Sequence, residues 1–231
     1  MNESDTDQSH HGAGHRSRLR ERLLRGGPDA LLDHELIEYL LGLTIVRRDT
    51  KPLAKQLLSE FGGIGPLLTA NPEALARIKG LSETSIAAIK LCQAISLRTF
   101  KAPIRDQPML AGWEALMAYL TLDMGHRTTE CVRILHLNTK NRLIRDEVMS
   151  EGSVDKAYLH TREVIRRAIE LGSAAIVLVH NHPSGDPQPS RADISLTREI
   201  AEAGKLMGVM VHDHIIVGAH KCLSMKAMGL V

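Results

Sequence analysis

The segment AAIVLVHNHPSGDPQPSRADISLTREI, residues 174–200, decides how the second half of this 231-residue chain folds. Residues 174–179 are apolar and rich in β-branched side chains, which predicts a buried strand. The run ends at His180-Asn181-His182, and a loop rich in proline and glycine follows. Helical periodicity begins at Ser190. The segment therefore predicts a strand, a rigid loop and a helix, in that order.

The end of this strand and the start of this helix carry residues that can bind a metal ion. Residues two apart on a strand point to the same face, so His180 and His182 can reach one point in space. Asp193 lies in the first turn of the predicted helix. Two imidazoles and a carboxylate make three ligands, and catalytic zinc sites commonly have three protein ligands with water in the fourth position. We therefore predict one Zn²⁺ per chain.

Other interpretations of the same residues remain open. Ser190-x-x-Asp193 resembles a capping box, although that motif strictly ends in Glu or Gln. Capping and metal binding are compatible, because Ser190 can cap the helix while its hydroxyl faces the metal-bound water. An H-x-H pair alone is a weak signal, since His212 and His214 form another. The combination of strand, H-x-H, rigid loop and S-x-x-D favours the metal site.

This combination resembles a known family. H-x-H, seven residues, then S-x-x-D is similar to the JAMM motif of the JAB/MPN metalloprotease superfamily, and HNHPSGDPQPSRAD resembles the RadC family of bacterial proteins. The similarity continues through TREV (161–164), DHIIVG (213–218), GHRSRLRERLL (14–24) and RRDTKPLAKQLL (47–58). It covers nearly the whole chain after about residue 15. One departure is Thr161, where the RadC pattern has proline; it stands at a predicted helix start, away from the proposed ligands.

The resemblance implies both a fold and a general base. The fold is α/β, a three-layer JAB/MPN-like domain with a mixed sheet, and the strands and helices that alternate after residue 109 agree with it. In the superfamily a glutamate precedes the first strand of the domain, and Glu130 matches that place directly before CVRILHL. Spacing alone would not distinguish it from Glu147, Glu151 or Glu163. The alternative for Glu130 is an exposed acid at a strand edge.

The implied activity is a zinc-dependent metallopeptidase that cleaves peptide or isopeptide bonds. Zinc lowers the pKa of its bound water toward about 7. Glu130 would accept the proton, and Ser190 would help to stabilise the oxyanion. The expected partner is a peptide or protein substrate.

Residues near the predicted ligands have further candidate roles. Asp213 or His214 could orient a ligand imidazole, because zinc-bound histidine usually donates its second N–H to a carboxylate or carbonyl. His212 and His214 could instead form a core pair, which we favour. Asp186 could contact substrate, or stabilise a turn with Gly185.

Composition shifts divide the chain into four parts. Residues 1–15 are polar without an apolar pattern and are expected to be a disordered tail. Residues 16–100 predict a small all-α domain. Residues 101–108, which contain Pro103 and Pro108, are expected to be a linker, and residues 109–231 form the JAB/MPN-like domain.

The helical part contains a candidate nucleic-acid contact. Residues 76–91 resemble a helix-hairpin-helix, in which backbone N–H groups at a helix N-terminus suit a phosphate. Here Gly80-Leu81-Ser82 has serine where the usual hairpin has a second glycine. Lys79 and Lys90, with the arginines of residues 16–25, are the expected partners of DNA phosphates. The equally weighted alternative is a tight turn between two core helices.

Composition sets limits on the location and chemistry of the chain. No apolar run approaches the length of a bilayer span, and the polar start lacks the apolar core of a signal peptide, so we expect a cytoplasmic protein that does not contact membranes. The three cysteines, Cys92, Cys131 and Cys222, are odd in number and widely spaced. This argues against disulfides and against a cysteine-based zinc site. The net charge of +2 does not indicate a partner.

Three functional classes can be compared. The first is the zinc metallopeptidase. The second is a non-enzymatic DNA-binding protein of repair or recombination with zinc as a structural element, which the family's traditional naming suggests. Structural zinc sites normally have four protein ligands, and only three are found here. The third, a zinc deaminase, requires H-x-E and P-C-x-x-C, and neither is present.

Overall fold

The computed structural model describes residues 4–46, 48–106, 112–152 and 159–231; the side chains of residues 4–13 and 103–106 are not described. The chain forms two compact units, Met1–Ile95 and Ser96–Val231. The first contains α1 (Ser4–Gly26), a 3₁₀ turn (Pro28–Ala30), α2 (Asp33–Thr44), α3 (Lys51–Phe61), α4 (Ile64–Thr69), α5 (Pro72–Ala76) and the start of α6 (Glu83–Asp106). The second contains α7 (Trp113–Met124), β1 (Glu130–Leu137), β2 (Leu143–Gly152), α8 (Thr161–Glu170), β3 (Ala175–Asn181), α9 (Arg191–Leu206), β4 (Met210–Val217) and β5 (Cys222–Ser224).

The first unit is all-helical, and its core is built from leucine and isoleucine on α2 to α6. Nine core residues are buried: Ile37, Leu41, Leu53, Ala54, Leu57, Leu67, Leu75, Ile78 and Ile89. Arg16 on α1 binds the C-terminal end of α2, where its guanidinium donates to the carbonyl oxygens of Ile45 at 2.8 Å and Val46 at 2.7 Å. A cation at this end of a helix satisfies unpaired carbonyls and complements the helix dipole.

Two expected boundaries differ from the structure. The tail predicted at residues 1–15 is helical from Ser4 as part of α1, and residues 1–3 lie outside the described residues. Extending an existing helix costs less than nucleating a new one, so a polar segment can continue the helix that follows it. The linker predicted at residues 101–108 belongs to α6 as far as Asp106, and residues 107 and 108 lie outside the described residues. Lys101 already belongs to the second unit, and it donates there to Asp146 at 2.6 Å, which holds this end of α6 in place.

The second unit is organised on a five-stranded mixed sheet with strand order β2-β1-β3-β4-β5. β1 is antiparallel to β2 and β3, β3 is parallel to β4, and β5 is antiparallel to β4. The strand β5 was not predicted from the sequence, because three residues are too few to show a period. The parallel pair places the C-terminal ends of β3 and β4 at the same edge of the sheet.

Side chains of β3 point alternately to the two faces of the sheet, and on each face they are buried against helices. Val177 and Val179 pack with Leu116 and Leu120 of α7. Their neighbours on the other face pack with α8 and α9, in a cluster that contains Ile176, Leu178, Val164, Ala168 and Ile200. The α/β fold predicted for this region, with helical layers on both sides of a mixed sheet, is confirmed. His180 continues the row of Ile176 and Leu178, so its ring lies on the α9 side.

Within the described residues, no helix combines the length and the hydropathy needed to cross a bilayer.

Candidate metal centre

The structure brings the three predicted metal ligands together. His180 Nε2 lies 2.9 Å from His182 Nε2 and 3.3 Å from Asp193 Oδ1. The other carboxylate oxygen, Oδ2, is 3.6 Å from His182 Nε2. Within the part of the chain that the structure describes, this is the group of at least three His, Cys, Asp or Glu side chains whose spacing suits a metal ion.

Backbone hydrogen bonds place the two histidines. The N–H of His182 donates to the Val217 carbonyl at 3.0 Å, which extends the β3–β4 pairing one residue past Asn181. The chain then turns, because the N–H of Gly185 donates to the His182 carbonyl at 2.9 Å. Gly185 has a φ of +82°, a conformation that glycine adopts without the penalty of a side chain. His182 thus remains beside His180 although β3 has ended.

A capping box places the third ligand. Ser190 Oγ accepts a hydrogen bond from the Asp193 N–H at 3.1 Å, and Asp193 Oδ2 accepts one from the Ser190 N–H at 2.7 Å. Aspartate therefore fills the role that Glu or Gln has in the usual motif. The second carboxylate oxygen, Oδ1, faces His180. The predicted cap is formed, and it is compatible with metal binding because it fixes the carboxylate that faces the histidines.

The donor atoms fit a zinc ion. His182 Nδ1 lies 2.7 Å from the Asp186 carbonyl oxygen, which can only accept, so Nδ1 carries the proton and Nε2 a lone pair. His180 Nδ1 is likewise occupied, at 2.7 Å from His214 Nε2. Two imidazole nitrogens and a carboxylate this close can hold a cation between them. Ligands about 2.0–2.1 Å from a tetrahedral zinc are separated by about 3.3 Å, close to the three separations given above.

The charge states of the three side chains also suit a cation. Burial lowers the pKa of His180 to about 4, so its imidazole is neutral at pH 7. Burial by itself would raise the pKa of Asp193, but hydrogen bonds from His182 and Ser190 hold it well below its ordinary value. The pKa of His182 is raised, chiefly by its hydrogen bond to Asp193. In the metal-free chain a proton on His182 can therefore take the place of the cation.

Glu130 lies beside the three ligands. Val132 pairs with His180 across the antiparallel β1–β3 ladder, so Glu130, two residues earlier, stands level with His182. Burial raises the pKa of Glu130, the negative charge of Asp193 raises it further, and His182 opposes both. This placement agrees with the predicted position of the base and differs from that of an isolated acid at a strand edge.

Other contacts of the site were missed or misjudged from the sequence. The predicted core pair of His212 and His214 is not formed. His214 contacts the ligand imidazole of His180, as the alternative prediction for His214 expects, and His212 Nε2 lies 2.7 Å from Asn141 Oδ1. Asp213 orients neither ligand; its carboxylate accepts from Ser224 Oγ at 2.5 Å. The side chain of Asp186 accepts from the Gln188 N–H at 3.2 Å, which supports its turn-stabilising role.

The candidate DNA contacts divide into two groups. Lys79, Gly80 and Ser82 lie on the exposed turn before α6. Ser82 Oγ caps that helix by accepting from the Ser85 N–H at 3.2 Å. Lys90 has a different role from the one predicted: its ammonium donates to the carbonyl oxygens of Leu68 at 2.8 Å and Ala70 at 3.0 Å. These bonds hold the ammonium of Lys90 at the end of α4, so it is not placed to contact a phosphate.

A five-stranded mixed sheet flanked by helices, with H-x-H at one strand end facing S-x-x-D at a helix start, defines a JAB-type domain. Residues 110–230 match the RadC-like JAB domain family, and residues 13–87 match the UPF0758 N-terminal family. The chain is also similar to a UPF0758 protein of Rhodobacter capsulatus, with 43% identity over 213 residues that cover 92% of this chain and 100% of the relative. The chain belongs to the RadC-like JAB family. This membership is compatible with a metallohydrolase, and neither the family descriptions nor the relative's name assigns an activity or a substrate.

Proposed function

We propose that the chain is a zinc-dependent hydrolase that cleaves peptide or isopeptide bonds. The observation that carries the proposal is the convergence of His180, His182 and Asp193 at one point, with Glu130 on the neighbouring strand. Three protein ligands leave a fourth zinc position for water, which is the arrangement of catalytic rather than structural sites. The choice of an amide or isopeptide bond rests on the resemblance to the JAMM metalloproteases.

The residues around the three ligands supply the remaining chemistry. Zinc held there would lower the pKa of a bound water toward about 7 and polarise the substrate carbonyl. Glu130 accepts the proton of that water and passes it to the leaving amine. Its raised pKa suits both steps, because a group whose pKa lies nearer the working pH both takes and returns a proton readily.

Ser190 is suited to stabilise the oxyanion. Its Oγ accepts a hydrogen bond from the Asp193 N–H, so its own hydroxyl proton can be donated elsewhere. A donor held in place by a helix cap needs little reorganisation when negative charge develops on the substrate oxygen. Ser190→Ala should therefore slow hydrolysis while zinc remains bound.

The decisive experiment compares Glu130→Gln with the wild type. We expect Glu130→Gln to retain one zinc per chain by elemental analysis and to lose hydrolysis of a library of peptide and isopeptide substrates. Glu202→Gln, which changes an exposed glutamate of α9, is the matched control and should keep both properties. Full activity in Glu130→Gln would overturn the assignment of the base. Absence of zinc from the reconstituted wild type would overturn the hydrolase itself.

We further propose that the first unit contacts DNA through the turn before α6. The supporting observation is local: Gly80 has a φ of +94°, and Lys79 and Gly80 are exposed immediately before the capped start of the helix. A side chain at Gly80 would lie 2.9 Å from the guanidinium of Arg48, so this cation borders the turn. Lys79 and Arg48 would then be the contacts to phosphate.

A further inference from the structure

Behind His180 the structure contains a buried row of polar side chains that the proposed chemistry does not use. His180 Nδ1 lies 2.7 Å from His214 Nε2, and His214 Nδ1 lies 2.6 Å from Thr197 Oγ1. Thr197 Oγ1 in turn lies 2.5 Å from the carbonyl oxygen of Asp193. His180, His214 and Thr197 are 2%, 3% and 0% exposed. We call this series the hydrogen-bond chain.

The direction of every hydrogen bond in the hydrogen-bond chain follows from its last member. A carbonyl oxygen can only accept, so Thr197 donates its single hydroxyl proton to Asp193. Two other acceptors lie within reach of that hydroxyl. Met225 Sδ is 4.0 Å away and is weaker. Donation to His214 Nδ1 would leave two oxygens, those of Thr197 and the Asp193 carbonyl, 2.5 Å apart with no proton between them. Thr197 Oγ1 must therefore accept from His214, which places the proton of His214 on Nδ1.

Burial extends this assignment to His180. The ring nitrogens of His214 contact a hydroxyl and an imidazole, and a charged ring at 3% exposure without a direct carboxylate partner is unfavourable. His214 is therefore neutral, with one proton on Nδ1 and a lone pair on Nε2. That lone pair accepts from His180, so the proton of His180 lies on Nδ1. The lone pair of His180 is left on Nε2, the atom that faces His182 and Asp193.

We propose that Thr197 is a positioning residue for the metal centre: through His214 it fixes the tautomer of His180 that presents Nε2 to the ion. The hydrogen-bond chain runs from the ring of one ligand, His180 on β3, to the backbone of another, Asp193 on α9. It therefore also fixes the helix to the strand. Loss of the Thr197 hydroxyl would allow the proton of His214 to move to Nε2. His180 would then have to accept at Nδ1, and its own proton would move to Nε2 and block the ligand atom.

Two measurements test this inference. The inference rests on the proposed function only in taking the ion to be zinc, and it does not depend on whether the chain hydrolyses a substrate. The first compares zinc affinities by chelator competition in the wild type, Thr197→Val and Thr197→Ser. Valine keeps the shape but removes the hydroxyl. We expect zinc affinity to fall about 10–100-fold, the range typical of residues that support a ligand from outside the coordination sphere. Serine restores the hydroxyl and should bring the affinity back to within a few fold of the wild type.

Thr50→Val is the matched control, because Thr50 is also buried and donates to a backbone carbonyl, that of Glu38 at 2.9 Å, but lies in the first unit. It should leave zinc affinity unchanged. Wild-type affinity in Thr197→Val, or an equal loss in Thr50→Val, would overturn the proposal.

The second measurement uses the zinc-free chain, so it remains decisive if the wild type binds no zinc. Long-range ¹H–¹⁵N correlation spectra of the histidine rings should show His180 and His214 of the wild type protonated on Nδ1. In Thr197→Val the signals of His214 should change to the Nε2-protonated pattern or to a mixture. Protonation of wild-type His180 on Nε2, with Nδ1 bare, would refute the role of Thr197 whatever the metal content.

Discussion

The side-chain amide of Asn181 holds the backbone on both sides of Glu130. Asn181 Oδ1 accepts from the Cys131 N–H at 2.9 Å, and Nδ2 donates to the Thr129 carbonyl at 3.1 Å. Asn181 points away from His180, as alternate residues of a strand do, and it is 1% exposed. The residue between the two histidine ligands therefore fixes the start of the strand that carries the proposed base.

Replacing Asn181 with alanine should lower the free energy of unfolding by about 1–3 kcal/mol, because the buried N–H of Cys131 loses its acceptor. If the proposed function holds, hydrolysis should fall while zinc content is kept, since Glu130 loses its support and the ligands do not. Urea unfolding and zinc analysis measure the two effects. Gln188→Ala removes an exposed amide from the following loop and should change neither. Equal stabilities of the two variants would contradict this role for Asn181.

How far the sequence predicts the site depends on how local each contact is. His180 and His182 were recognisable because two-residue spacing on a strand fixes a shared face, and Ser190-x-x-Asp193 because a helix cap acts over one turn. Glu130 required the family resemblance, since its partners are far away along the chain. Each of these contacts follows from a short spacing or from a known pattern.

The roles of three residues were missed or misjudged, because only the packing of β1, β3, β4 and α9 brings their hydrogen-bond partners near. These residues are Asn181, Thr197 and His214. A signal was present for Asn181: a polar residue that ends a fully apolar strand must find hydrogen-bond partners when it is buried. The sequence could raise that question, but the sheet order and register that answer it are properties of the fold. The helical residues 101–106 have the same cause, whereas the three residues of β5 are too few to show a period.

Capping and metal binding by Ser190 and Asp193 can be separated by substitution. Asp193→Asn keeps a side-chain oxygen for the Ser190 N–H but loses the charge. Its zinc affinity should fall by more than about 100-fold, because even indirect partners of ligands contribute about 10–100-fold. Ser190→Ala loses the cap and should destabilise the metal-free chain by about 1 kcal/mol with a smaller loss of zinc affinity. Chelator competition and urea unfolding in EDTA measure the two effects, and identical behaviour of the variants would contradict the division of roles.

Buried His136 should make the fold sensitive to acid. It is 0% exposed, and its Nδ1 lies 2.9 Å from Ser173 Oγ. Burial lowers its pKa from 6.5 to about 4, although Glu147 partly opposes this shift. Between these pH values the unfolded chain binds more protons than the folded chain. The free energy of unfolding therefore falls as the pH is lowered from about 6.5 toward about 4, and the total loss from this histidine is about 3 kcal/mol. In EDTA, His136→Gln should lose less stability than the wild type between pH 7 and pH 4.5, as measured by urea unfolding; equal losses would rule out His136 as the cause.

Replacement by methionine should affect stability at Lys90 and DNA binding at Lys79. Lys90→Met leaves the carbonyls of Leu68 and Ala70 without their donor, so the chain should lose about 1–3 kcal/mol of stability. Lys79→Met changes an exposed side chain and should leave stability unchanged. If the turn before α6 contacts DNA, only Lys79→Met should weaken binding, and it should reduce the dependence of log affinity on log salt by about 1. Unfolding curves and salt titrations of DNA binding measure this, and an unchanged salt dependence in Lys79→Met would exclude the contact.

Zinc should stabilise the second unit, because the three ligand side chains converge only in the folded state. At a free zinc concentration about 100 times the dissociation constant, mass action adds about 2.7 kcal/mol, which raises the melting temperature by several degrees. EDTA should reverse the shift.

The variant His182→Ala lacks one ligand and should melt at the same temperature with and without zinc. The control His220→Ala removes an exposed imidazole and should respond to zinc as the wild type does. Differential scanning calorimetry makes the comparison. A shift of wild-type size in His182→Ala would mean that the stabilising ion binds elsewhere than at His180, His182 and Asp193.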